Sequence, residues 1–192
     1  MNLTGLSLIS IDVSHKHLEL LKTLHPKLSR VAFLMNPKNQ VNPVMLRSVE
    51  AVARITGTNI MAVKASTPEE IDRVFAMIAR ERVDALVVAA DSFLYSQSRL
   101  VAALSSKHRL PSIAESRVYV ASGGLMSYGQ DLADFFRRAA TYVDKILKGA
   151  KPGELPIEQP TKIHLAINRT TAKVLGITIP KELVLRADEV IE

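Results

Sequence analysis

At 192 residues the chain is long enough for one large domain, and a chain of this size buries roughly 70% of the surface its unfolded form exposes. Hydrophobic residues at 47% and charged residues at 23% match a globular protein and exclude a mainly disordered one. The net charge of +6 comes from Lys and Arg scattered among acids, as at Glu69, Glu70, Asp72 and Arg73, so no basic patch marks a nucleic-acid partner, and the lack of cysteine excludes disulfides, thiolate metal sites and cysteine nucleophiles.

Residues 29–35 (SRVAFLM) are a short apolar run closed by Asn36 and Pro37, which predicts a buried strand. Residues 43–56 carry Val44, Met45, Val49, Val52 and Ala53 at helical spacing, and Gly57 stops that helix. Residues 59–64 (NIMAVK) form the next strand. Thr67, Pro68, Glu69 and Glu70 open a helix that runs to about Arg82, with Thr67 as N-cap, proline in the first position and acids in the first turn. Residues 83–90 (VDALVVAA) are almost continuously apolar, as in a parallel strand covered on both faces. A helix over 95–108, a strand over 110–114, a glycine-punctuated strand over 123–129 (GGLMSYG) and an amphipathic helix over 131–147 follow. Gly149 and Pro152 close that helix, and the Pro-containing stretch 148–160 reads as a surface excursion. A strand over 162–167, a short helix over 170–175 and a polar tail complete the chain. No apolar run reaches the roughly 20 residues a membrane span needs.

Strands alternating with helices across short loops predict an α/β fold with a Rossmann-like, doubly wound parallel sheet. In such sheets ligands bind beyond the carboxyl ends of the strands. The candidate binding residues are therefore Asn36 and Asn42 after the first strand, Ser66 after the second, and Asp91, Ser92 and Phe93 after the third. Glu115 and Ser116 follow the fourth, and Ser127 and Tyr128 lie beside the glycines. Asp91 has two readings. It can hold a ligand's amine, with Phe93 or Tyr95 against an apolar group, or it can cap the next helix. For the asparagines, ligand hydrogen bonding competes with turn chemistry. Gly123, Gly124 and Gly129 lack the Lys-Ser/Thr ending of a phosphate loop and the spacing of a dinucleotide fingerprint. They let the backbone turn or come close to something. His15 and His17 are two apart, so on a helix they face different ways, and with no third ligand at a recognisable spacing they predict no metal site. His25, His108 and His164 are scattered and expected at the surface. No Gly-x-Ser-x-Gly elbow supports a hydrolase. Neither a catalytic residue nor a cofactor is expected.

Four stretches together resemble the ABC transporter substrate-binding family that includes tryptophan- and tyrosine-type binding proteins. They are 2–7 (NLTGLS), 30–37 (RVAFLMNP), 123–131 (GGLMSYGQD) and 139–192. The last contains Glu158-Gln159-Pro160-Thr161-Lys162, Ala172-Lys173 and Ala187-Asp188-Glu189-Val190-Ile191, which look like that family's C-terminal signature. The resemblance implies a periplasmic-binding-protein type I architecture. Two Rossmann-like lobes close by a hinge on a small organic ligand, an aromatic amino acid being the first guess, and the closed form docks on an ABC permease with no chemistry performed. In those terms residues 1–13 are a crossover from a missing N-terminal lobe and 14–130 the C-terminal ligand-binding lobe. Residues 131–192 supply a helix of the other lobe, a return strand and a tail. The resemblance places the function in the periplasm. The first 25 residues show no basic segment followed by an apolar stretch and a small-residue cleavage site, which leads to the expectation of a cytoplasmic protein if the chain is complete. Leu132, Phe135, Phe136, Ala139, Val143 and Ile146 form an apolar face on the 131–147 helix, expected to drive homodimer formation or to be covered by the tail. Two other readings stay open: a truncated paralogue acting as a cytoplasmic ligand-sensing or self-associating domain, and an α/β enzyme using the same strand ends.

Overall fold

The computed structural model describes residues 2–159 and 162–192. Met1, Pro160 and Thr161 lie outside the described residues, and with them the middle of the 158–162 stretch quoted above.

After a two-residue strand β1 (Gly5–Leu6), helix α1 (Ser10–Leu24) leads into β2 (Arg30–Met35), α2 (Asn42–Thr56), β3 (Asn59–Lys64), α3 (Pro68–Arg80) and β4 (Ala85–Val88). Then come α4 (Ser92–Ser96), α5 (Ser98–Lys107), β5 (Ser112–Ala114), α6 (Arg117–Ala121) and β6 (Met126–Gln130). The five strands β2 to β6 are mutually parallel in the spatial order β3-β2-β4-β5-β6. All four residues of β4 and five of the six in β2 are buried, which is why both segments read as unbroken apolar runs. The chain leaves β2 in one direction along the sheet, to β3, and then returns past β2 to β4. Right-handed crossovers therefore place α2 on one face and α3 on the other. Leu18 and Leu21 of α1, Met45 and Val49 of α2, and Ile71, Phe75 and Ile78 of α3 pack onto Phe33, Leu34, Leu86 and Ile113 in one continuous core.

The cap signals hold in detail. Thr67 Oγ1 accepts from the Glu70 amide at 3.3 Å, and the Glu70 carboxylate reaches back to the Ser66 amide (2.7 Å) and hydroxyl (3.0 Å). Gly57 ends α2 at φ +65°, a left-handed conformation that glycine adopts without strain.

Beyond β6 run α7 (Leu132–Leu147), a 3-10 turn, β7 (Ile157–Glu158), β8 (Ile163–Asn168), α8 (Arg169–Leu175), α9 (Lys181–Arg186) and β9 (Glu189–Ile191). Here the structure departs from the expected parallel sheet and polar tail. β8 returns antiparallel to β6, and β9 adds a seventh, edge strand parallel to β8. The tail escapes the strand pattern because β9 has only three residues, each half-buried. The 95–108 helix is two helices broken at Gln97, where Ser96 Oγ bonds the Phe93 carbonyl (2.7 Å) and Ser98 Oγ the Tyr95 carbonyl (2.6 Å). The 148–160 excursion carries β7, which pairs in parallel with β1 as a separate two-stranded sheet. Helix α7 lies against that small sheet. Tyr142 Oη donates to the Pro156 carbonyl (3.1 Å), Thr4 Oγ1 donates to the same carbonyl (2.9 Å), and Arg138 pairs with Glu158. These contacts bury Tyr142 and half-cover Leu132, Phe135, Ala139 and Ile146, while Phe136 stays 67% exposed and Leu147 82%.

Candidate functional site

Because β2 to β6 are parallel, their carboxyl ends share one edge of the sheet, and the loops after Met35, Lys64, Val88, Ala114 and Gln130 converge there. The reversal of strand order lies between β2 and β4, the position where open α/β sheets leave a crevice for ligands. Asn36 follows β2, Ser66 follows β3, and Asp91, Ser92 and Phe93 follow β4. Glu115 and Ser116 follow β5. Ser127 and Tyr128 lie inside β6, within the predicted 123–129 strand and not beyond its end, and the strand runs on through Gly129 to Gln130. Ser127 is buried, paired with Ala114 and Ala166, and the Tyr128 carbonyl is spent on His17. The residue that sequence reasoning missed at this strand end is Gln130, hidden by the reading of the glycines as the end of the strand.

At the switch point the polar side chains tie one another down. Asn36 Nδ2 donates to both oxygens of Asp91 (3.1 and 3.2 Å), Asn39 Nδ2 to Oδ2 (3.0 Å), and the Leu94 amide to Oδ1 (3.0 Å). Asp91 is thus the cap of α4 and the acceptor for two side-chain amides at once. The asparagines also make the turns: Asn36 Oδ1 accepts from the Lys38 amide (3.0 Å) and Asn39 Oδ1 from the Val41 amide (2.9 Å). Asn42, read from the sequence as a binding residue, has no exposed surface. Its Oδ1 accepts from the Asn36 amide (2.9 Å) and its Nδ2 donates to the Ala90 carbonyl (2.9 Å), so it is a strut bracing the β2 loop on the β4 loop. Ser66 serves the cap of α3, and Ser116 caps α6 by accepting from the Val118 amide (3.2 Å). Ser92 is exposed, Phe93 packs half-buried against the core, and Tyr95 is exposed nearby.

A second polar cluster sits at the ends of β5 and β6, around a cavity of about 240 Å³ walled by Glu115, Ser127, Gly129, Gln130 and the facing strand β8. Glu115 Oε1 accepts from Ser10 Oγ (2.9 Å), at the start of α1. Its Oε2 is buried with no hydrogen-bond partner among the described residues, and neither amide atom of Gln130 has one, although Gln130 is only 4% exposed. Burial pushes the Glu115 carboxyl up from its ordinary range, and the Ser10 hydroxyl pulls it part of the way back. The outer rim is held by Arg117 on α6 paired with Glu189 on β9, while Asp188 accepts from the Leu165 amide (2.9 Å). Asp131 caps α7 through the Ala133 (2.8 Å) and Asp134 (3.2 Å) amides.

Behind this edge α1 is pinned by His17, which was not read as buried. The ring has no exposed surface; Nε2–H donates to the Tyr128 carbonyl (2.7 Å) and the ring meets Tyr128 edge-on. Its pKa falls to about 4, chiefly through burial, opposed by the Tyr128 carbonyl and helped by the nearby charge of His15.

Comparison with known proteins now decides the family. The family model described as ABC transporter substrate binding protein matches residues 1–191. The chain belongs to that family. A curated relative, the tyrosine-binding protein of Clostridioides difficile (strain R20291), is 26% identical over 177 residues, which span 92% of this chain and 50% of the relative. A conserved domain protein of Vibrio cholerae O1 biovar El Tor str. N16961 superposes with a TM-score of 0.87 at 27% identity, over 97% of this chain and 62% of that one. The ABC domain of Streptococcus pneumoniae in complex with L-Trp superposes with a TM-score of 0.84 at 24% identity, over 98% of this chain and 64% of that one. The fold is accordingly that of a periplasmic-binding-protein-like α/β lobe, and the family is one of substrate-binding proteins rather than enzymes. The chain spans about half the length of the curated relative it matches. Among the described residues no helix is long and apolar enough to cross a membrane.

Proposed function

We propose that this chain binds a small organic solute, an aromatic amino acid in the first instance, at the sheet edge where the parallel strands β2 to β6 end, as the non-catalytic binding component of an ABC import system. The observation that carries the reading is the pair of polar clusters at neighbouring strand ends, one at the switch point of the sheet and one beside the cavity between β5, β6 and β8. The tyrosine-binding relative supports L-tyrosine as the first probe. In this reading residues 14–130 with β8 and β9 are one lobe, and 1–13 is a crossover whose strand β1 joins α7 and β7 in the second wall of a cleft that closes on the solute. The Asn36–Asn39–Asp91 network holds the floor of the site rigid, and Phe93 offers an apolar surface beside it. The closed cleft is what an ABC permease recognises, on the periplasmic side. Thermal unfolding of the protein with each of the twenty amino acids tests the reading. A solute at 100 times its Kd stabilises by about 2.7 kcal/mol, which raises Tm by roughly 5–10 °C in a domain of this size. No shift with any of them overturns it.

A second reading, self-association through α7, is favoured by the exposure of Phe136, Val143 and Leu147 on one helix. Sedimentation equilibrium is expected to show dimers that revert to monomers when Phe136 and Leu147 are changed to serine. A wild-type protein that stays monomeric at high micromolar concentration removes this reading.

A further inference from the structure

Buried polar groups in folded proteins are almost always hydrogen-bonded, and each exception asks for a reason. Three such atoms belong to two residues that line the same cavity between β5, β6 and β8: Glu115 Oε2, Gln130 Oε1 and Gln130 Nε2. The contrast with Asp91 is direct, since the Asp91 carboxylate already receives hydrogen bonds from Asn36, Asn39 and Leu94. The cavity lining also carries four carboxylates, on Glu115, Asp131, Asp188 and Glu189, against the single guanidinium of Arg117, which Glu189 already engages. About 240 Å³ is below the roughly 300–1,000 Å³ of pockets that enclose a whole drug-sized ligand, so the space suits a head group with the rest of the solute outside.

We infer that Glu115 and Gln130 form a socket for the head group of an amino acid, the free Glu115 oxygen and Gln130 Oε1 accepting from its ammonium and Gln130 Nε2 donating to its carboxylate. This rests on the solute-binding reading above and moves the amine from Asp91 to Glu115. An ammonium also supplies the counter-charge that the buried Glu115 carboxylate lacks. Gln130 is then held unsatisfied in the empty protein for the sake of the ligand, so a leucine there makes the empty protein more stable while weakening binding.

Calorimetric titration of the full 192-residue protein with L-tyrosine, tyramine and 3-(4-hydroxyphenyl)propionate tests the socket. The wild type is expected to bind L-tyrosine and tyramine, with the acid that lacks an amine at least about tenfold weaker. Glu115→Gln, which keeps an acceptor for Ser10, is expected to weaken L-tyrosine and tyramine by about 10–100-fold and to leave the amine-free acid unchanged. Gln130→Leu is expected to raise Tm by about 2–4 °C and to weaken L-tyrosine more than tyramine. Equal affinity of the wild type for all three probes, or a Glu115→Gln protein that binds them as the wild type does, overturns the socket while solute binding stands. A lower Tm in Gln130→Leu makes Gln130 a structural residue and also overturns it. A wild type that binds none of the three overturns the socket, and the solute-binding reading falls with it only if none of the twenty amino acids raises Tm either.

Discussion

Changing Gly129 to alanine is expected to lower the stability of the protein by about 2–3 kcal/mol, at the upper end of what a single added methyl does in a packed interior. Gly129 lies in β6, paired with His164 of β8, and Glu115, the residue after the neighbouring strand β5, packs against it. A Cβ at this position would fall inside the van der Waals envelope of Glu115, against both its Cγ and its carbonyl oxygen. The side chain can swing aside, but the carbonyl belongs to the backbone of the adjoining strand end and moves only if β5 and β6 separate. Restricting the unfolded chain returns about 0.4–1 kcal/mol, which offsets part of the cost. The same displacement carries Glu115 away from Ser10 and distorts the cavity, so solute affinity should fall along with stability. Urea unfolding with the two proteins side by side measures the first effect. A change below about 0.5 kcal/mol, the range of ordinary surface substitutions, would show that the two strand ends are not locked at this spacing.

Acid is expected to weaken the protein well above the carboxylate range, because His17 must take up a proton when the chain unfolds. Its folded pKa is about 4 and its unfolded value 6.5. Between those values the unfolded state binds more protons, so stability is complete above pH 6.5 and is lost as pH falls toward 4, by about 3 kcal/mol in all. The physical origin is burial of a neutral ring that uses Nε2–H on the Tyr128 carbonyl and leaves Nδ1 without a partner. Glu115 works in the opposite sense, since its raised pKa favours the folded state as pH drops. The comparison must therefore be made against a variant. His17→Gln keeps an amide to donate to the Tyr128 carbonyl and cannot titrate, so its unfolding free energy should vary less between pH 7 and pH 4.5 than that of the wild type. Parallel curves for the two proteins would mean that His17 is not what the acid attacks.

Both effects meet at β6, through Gly129 in one case and the Tyr128 carbonyl in the other. The apolar runs at Arg30–Met35 and Ala85–Val88 could be assigned from composition alone, since a strand covered on both faces has no polar alternation to confuse it. Helices α2 and α3 were equally plain, because their caps are local chemistry: a proline, a threonine, two acids and a left-handed glycine within a few residues of each boundary. Helix α1 escaped because its buried stripe is broken by polar side chains at Ser14 and His17, and the partner of His17 is Tyr128, more than a hundred residues away. Helix α6 and strand β9 are too short to carry a period of their own.

The candidate site divides along the same line. Parallel strands put every following loop on one edge, so the sequence by itself determined that Asn36, Ser66, Asp91 and Glu115 stand at strand ends, along with the α/β class and the family signature of the C-terminal run. It could not say which of them are already satisfied. Asp91 and Glu115 are both acids within three residues of the end of a buried strand, yet one is saturated by amides from the β2 loop and the other keeps a buried oxygen free. That difference, the strut role of Asn42 and the place of Gln130 beside the cavity were decided by tertiary structure alone. Hydrogen-bond satisfaction depends on which atoms meet across strands distant in sequence, and no local pattern encodes that.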